Sequence, residues 1–99
     1  MKNLVMIVHA SLQQDLADHL RGLVSGFSFS PVEGHGSHTE NDPVLSARDK
    51  VVGYIPRVRV DILLEEFELT VVIKQIGQIP GIKGHGVYWV NDVVEFGRM

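Results

Sequence analysis

The sequence predicts a single α+β domain, and three patterns carry the prediction. Leu4-Val5-Met6-Ile7-Val8 is an unbroken apolar run, the pattern of a strand covered on both faces. From Pro56 onward the chain alternates, Val58, Val60, Ile62 and Leu64 against Arg57, Arg59 and Asp61. Strand side chains switch faces at every residue, so period two marks a strand with one apolar and one polar face. Between and after these strands, apolar residues recur at helical spacing.

Taken in order, Asn3–His9 is the first and central strand. Ser11 opens a helix, with Ser11 and Gln14 placed for a capping box. Leu12, Leu16, Leu20, Leu23 and Val24 form its apolar stripe. Asp15 and Asp18 complement its N-terminal end, and Gly26 is a C-terminal stop. Phe27–Glu33 alternates, with Phe27, Phe29 and Pro31 opposite Ser28, Ser30 and Val32, and Pro31 places it at a sheet edge. Residues 34–50 are polar and glycine-bearing, a long loop of the kind that usually serves function. The third strand follows, within Val52–Leu64, with Pro56 suited to its start, an edge or a bulge. Glu65–Gln75 fits a strand by its β-branched run, Thr70-Val71-Val72-Ile73, and a helix by Leu69, Val72, Ile73 and Ile76. The acids Glu65, Glu66 and Glu68 at its start favour the helix. Gly77, Pro80 and Gly81 end it. Val87-Tyr88-Trp89-Val90 is the last strand, extended through Val93–Phe96. The order is β-α-β-β-α-β, the ferredoxin-like pattern of two helices on one face of a four-stranded antiparallel sheet. The first and last strands are apolar on both faces, so the uncovered face needs a partner. A second copy is the simplest, which predicts sheet-to-sheet homo-oligomerisation.

Composition narrows the function. The 99 residues hold no cysteine and carry a net charge of −3. That excludes disulfides and zinc–thiolate sites, fits a reducing cytoplasm, and disfavours a nucleic-acid surface. The opening apolar run is too short for a signal or spanning segment. No nucleophile, base and orienting group stand together in the pattern, so an enzyme is not expected.

Four stretches in order resemble the PII-like superfamily of trimeric signalling proteins. Gly26–Gly36 is similar to that family's second strand ending in Gly-x-Gly. Val51–Leu63 is similar to its third strand, a proline followed by alternating basic and aliphatic residues. Gly84-His85-Gly86 with Val87–Val90 resembles its phosphate loop and last strand, and Glu95–Met99 a shortened C-terminus. The resemblance implies a homotrimer of single domains spanning 1–99, with a flexible T-loop-like segment at about 37–50. It implies inter-subunit clefts that bind an adenine nucleotide or other anion. It also implies control of a partner, such as a membrane transporter or that transporter's regulatory companion, through the loop. Carried over by position, the cleft residues are Ser28, Gly34, His35, Gly36, Arg57, Gly84, His85, Gly86 and Arg98.

The departures reshape that expectation. Val87 stands where the family has a lysine, and Arg98 is the one match to two C-terminal arginines. With those cations gone, ADP or AMP fits better than ATP. The loop contains no tyrosine between residues 34 and 50, so tyrosyl modification does not carry over.

The candidate side chains have competing readings. Gly34, Gly36, Gly84 and Gly86 can let backbone N–H groups approach an anion, or can be plain turn residues. Arg57 and Arg59 share a strand face, as an anion-binding pair or as ion-pair partners of Asp61 in a neighbouring copy. Tyr54, Tyr88 and Trp89 could stack on a base, but aromatics in a last strand fit core or interface better. Under the family layout, His35, His38 and His85 converge and could ligate zinc, copper or nickel. The alternative function is therefore a trimeric divalent-metal binder resembling the CutA group or metal-efflux accessories. His9 is read as structural and His19 as a surface residue. An RNA-binding domain ranks last, because the first strand has no aromatic and the net charge is negative.

Overall fold

A computed structural model describes residues 1–34 and 55–99. The expected loop at about 37–50, together with His35, Gly36, His38 and Tyr54, lies outside the described residues. The elements are β1 (Lys2–His9), a 3-10 turn (Ala10–Leu12), α1 (Gln13–Arg21), β2 (Phe27–Gly34), β3 (Ile55–Leu64), a second 3-10 turn (Glu66–Glu68), α2 (Leu69–Ile76) and β4 (Gly86–Asp92). The strands form one sheet in the order β2-β3-β1-β4. Every pairing is antiparallel. This is the α+β, ferredoxin-like arrangement that the periodicities imply.

The core forms because four elements present apolar stripes to one layer. Leu4, Met6 and Val8 of β1 and Val58, Val60, Ile62 and Leu64 of β3 pack under Leu12, Leu16 and Leu20 from the first helical segment and Val72 and Ile76 of α2. Ile79 and Ile82, in the turns after α2, close the same cluster, and Phe27 and Phe29 of β2 border it. Those two rings meet edge-on, with centroids 5.5 Å apart, the arrangement that aromatic quadrupoles favour. Leu4, Met6 and Val8 on one face of β1 and Val5 on the other are all buried, which accounts for its lack of polar alternation.

Four local expectations are corrected. The Ser11–Gln14 capping box does not form. His9 caps the first turn instead, its side chain accepting from the Ser11 N–H, while Gln14 donates to Asp18 at 3.0 Å. The first helix stops at Gly22, not at Gly26. Leu23 and Val24 still pack on the core from beyond it. Val93–Phe96 is not strand, as β4 ends at Asp92. Pro31 is exposed and Val32 half-buried, so the burial rhythm of β2 shifts at the proline while its register with β3 continues. The second helix holds, and its acids have a more specific task than complementing the dipole. Glu65 and Glu68 form a capping box, each side chain accepting from the other's backbone N–H, which satisfies donors that a helix start leaves free. Among the described residues, no helix is long and apolar enough to cross a membrane.

Candidate functional site

The sheet face away from the helices carries the polar residues of β3, and strand register arranges them in rows. One row runs Ser30–Arg59–Ile7–Val87 and the next Ser28–Asp61–Val5–Trp89. Beyond them lies Leu63–Asn3–Asn91 at one end. Val32–Arg57–His9 lies at the other, where β2 ends and β3 begins.

The two middle rows are knitted together by Arg59. Its Nε donates to Asp61 Oδ2 at 3.0 Å and its Nη2 to Asp61 Oδ1 at 3.1 Å. The guanidinium carbon also lies 5.9 Å from the Trp89 ring centroid, within cation–π range. Reaching Trp89 from β3 takes the side chain across β1. Val5, between Asp61 and Trp89 in register, is accordingly fully buried on a face that none of the described helices covers. Hydrogen bonding from Arg59 holds the Asp61 carboxyl below its ordinary range, with Asn3 assisting and burial opposing. Arg59 is therefore paired with Asp61 of its own chain. Trp89 is a lid for a sheet residue rather than a free stacking platform.

The candidate binding residues divide between the two ends of this face. Ser28 and Arg98 line one cavity of about 420 Å3, together with Asn3, Asp61, Leu63 and Phe96. The tail after β4 therefore returns across the open face beside β2. Gly34, Arg57, Gly84, His85 and Gly86 lie at the opposite end. Six residue steps along the strand lead from Ser28 to Gly34, roughly 20 Å at strand rise. Within one chain these groups do not converge.

The glycines separate by cause. Gly86 is required by packing: a Cβ there would stand 2.7 Å from Val8 Cγ1 and 3.1 Å from the Ile7 carbonyl oxygen. Gly84 adopts φ +81°, a turn conformation that favours glycine. Gly34 has open space around it and no positive φ, so the described fold does not demand a glycine there.

His9 is the group whose importance the sequence understated. It is nine-tenths buried. Its Nδ1 accepts from the Ser11 N–H at 3.1 Å and lies 2.9 Å from the Ser11 hydroxyl. Its Nε2 is buried without a hydrogen-bond partner. Arg57 faces it in register. His85 precedes Gly86, which pairs with Val8, and its N–H donates to the Ile82 carbonyl at 3.1 Å. His19 is exposed, with Nδ1 2.9 Å from the Asp15 carbonyl. Among the described residues no three His, Cys, Asp or Glu side chains are grouped to hold a metal. The expected His35–His38–His85 set draws two members from outside them.

A second cavity, about 390 Å3, opens on the helix side between α2 and β4. Leu4, Met6, Val8, Ile73, Ile76 and Tyr88 line it, with Lys74 and Lys83 also on its wall. The cavity exists because α2 has only eight residues and leaves β4 uncovered. From Val87 to Val90 every side chain of β4 is at least 36% exposed.

Fold and site together define a small α+β domain whose described helices lie on one face, with an apolar edge strand and two half-sets of polar residues at opposite ends of its open face. The chain belongs to the DUF3240 family, described as proteins of unknown function, which it matches over residues 1–99. Among solved structures it is similar to a DUF3240 family protein from Shewanella baltica OS155, with a TM-score of 0.76 and 17% identity. That match covers 99% of this chain and 94% of the other. No curated protein matches it in sequence.

Proposed function

We propose that this protein is a PII-like cytoplasmic regulatory module. It assembles as a homotrimer through the open sheet face and β4, and binds a small anionic effector in the clefts between subunits. Segment 37–50 then carries the signal to a partner such as a membrane transporter. The effector class is an adenine nucleotide, ADP or AMP before ATP, or a smaller anion such as bicarbonate.

The observation that carries this reading is the division of the candidate residues. Ser28 and Arg98 sit at one end of the open face, and Arg57 and the Gly84–Gly86 turn at the other. Packing of copies around β4 would set one chain's first group beside its neighbour's second. The exposure of Val87, Tyr88, Trp89 and Val90 supplies an apolar surface for that packing, and a stable contact needs only about 800 Å2 from each chain. Coupling follows if the effector binds one arrangement of segment 37–50 better than another.

Sedimentation of the purified chain, calorimetry with ATP, ADP, AMP and bicarbonate, and protease protection of 37–50 test the reading together. Trimers that bind one of these anions and gain protection support it. A monomer at micromolar concentration, or trimers in which no anion binds or protects the segment, would reject it.

A further inference from the structure

We propose that the helix-side cavity between α2 and β4 binds a small amphiphilic carboxylate, its apolar body against the core and its head at Lys74 and Lys83. The site goes beyond the regulatory reading and does not rest on it, because it lies on the helix side of the sheet and not on the open face.

The cavity follows from how the second half of the chain is built. Leu4, Met6 and Val8 of β1 face the helices, and register sets Val90, Tyr88 and Gly86 of β4 beside them. A helix lying over both strands would hide all six. α2 has eight residues and stops at Gly77. Met6 is accordingly 5% exposed, while Tyr88 beside it is 58% exposed. The chain then turns through Gly81 and Gly84, both at positive φ, and Ile82 and Lys83 between them join the cavity wall. At Gly86 no side chain intrudes, since a Cβ would stand against Val8. The result is a concave space of about 390 Å3, with Leu4, Met6, Val8, Ile76 and Ile82 as its buried wall.

Size and composition select the occupant. Small-molecule pockets span about 300–1,000 Å3 and are mostly apolar with a few polar groups. A water takes about 30 Å3 of liquid, so the space suits a body of roughly a dozen non-hydrogen atoms. That body must be apolar where it meets the buried wall, because a polar group there would lose its hydration. Its charge is set at the mouth. The whole chain carries −3, yet the lining includes Lys74 and Lys83 and no Asp or Glu. Both lysines are exposed, and among the described residues neither forms an ion pair. Lysine suits such a mouth, since its stem packs on apolar surface while its ammonium stays in water. The α2 dipole accounts for a cation at Lys74, in the last turn, but Lys83 lies beyond the helix. Nor do the carbonyls that end α2 oppose an anion, since those of Ile73, Gln75 and Ile76 accept from the N–H groups of Gly77, Gln78 and Ile79. An apolar body with one carboxylate answers both halves of the cavity. A phosphate would leave the apolar wall unmatched, and a cationic amphiphile would meet like charge.

Calorimetry on the full chain with hexanoate, octanoate and decanoate tests the proposal, with 1-octanol and octylammonium as neutral and cationic counterparts. Affinity should rise about fourfold for each added methylene, and octanoate should bind more tightly than either counterpart. Lys74→Gln combined with Lys83→Gln changes two exposed side chains and should leave the fold intact. It should weaken octanoate about fivefold and leave 1-octanol unchanged. Methyl spectra locate the ligand: Met6, Ile73 and Ile82 should shift with decanoate, and Leu63, in the other cavity, should not. A wild type that takes up no decanoate overturns the proposal. So do affinities that ignore chain length, an octanoate affinity that survives loss of both lysines, or shifts confined to Leu63. Release of subunits by decanoate also overturns it, since the apolar wall would then belong to a contact between copies. Carboxylate binding without nucleotide or bicarbonate binding rejects the regulatory reading and leaves this site standing.

Discussion

At Gly86 the absent side chain matters more than any present one, because β4 passes β1 too closely for a methyl group. Gly86→Ala must displace the Val8 side chain and crowd the Ile7 carbonyl oxygen, and about 1–3 kcal/mol of stability should be lost in chemical denaturation. Gly34→Ala meets nothing and needs no unusual φ, so its stability should stay within about 0.5 kcal/mol. If the Gly34 backbone approaches an anion, only ligand affinity falls. The Asp61–Arg59 pair gives a prediction with a defined sign. The native Asp61 pKa lies below its unfolded value, near 3.9 for a free aspartate. Its contribution is therefore present in full above about pH 4 and is lost as pH falls through the lower folded value. Asp61→Asn should lower stability by about 1 kcal/mol at pH 6, given the partial exposure of the pair. The melting temperatures of the two proteins should converge on acidification below about pH 4. A constant gap would assign the loss to packing.

At the scale of elements, the strands and the Gly77 stop of the second helix were legible, while the helix caps, the Gly22 stop and the end of β4 were not. Burial on both faces wrote itself into Leu4–Val8 as an unbroken apolar run, and burial on one face wrote itself into Arg57–Leu64 as alternation. Those signals are averaged over many residues. A cap depends on one side chain, and two residues near the first turn could serve. His9 outcompetes the Ser11–Gln14 pair because strand β1 delivers its ring directly against the Ser11 N–H. Histidine is an uncommon cap, so pattern alone favoured serine. The capping box of the second helix escaped notice for a related reason, since three clustered acids already had an explanation in the helix dipole. Glu68→Ala removes half of that box and should cost about 1 kcal/mol, seen in denaturant as a lower midpoint with an unchanged slope. The candidate site was legible as a list of residues but not as a layout. Sequence offsets cannot say that Ser28 and Gly34 face opposite ends of a sheet, nor that Arg59 reaches over β1 to Trp89.

At the scale of the whole molecule, the decisive feature among the described residues is one-sided cover. Two helices bury the core face, while the open face is closed locally by the Arg59 bridge over Val5 and left apolar along β4. Trp89→Glu tests assembly without removing an Arg59 partner, since a carboxylate can still pair with the guanidinium. If copies meet on this face, the introduced charge should shift sedimentation toward the monomer while circular dichroism stays native. Trimers that survive the substitution would place the seam elsewhere.

The position of β4 along the chain also fixes when that surface can act. β1 lies between β3 and β4, so the sheet's centre is made first and one of its two neighbours is made last of the four strands. During translation the first three strands leave the ribosome while the stretch that invites company is still inside the exit tunnel. β4 is thus the last of the described strands to emerge, and its apolar surface is displayed only once the strands it is built on are already available to pair.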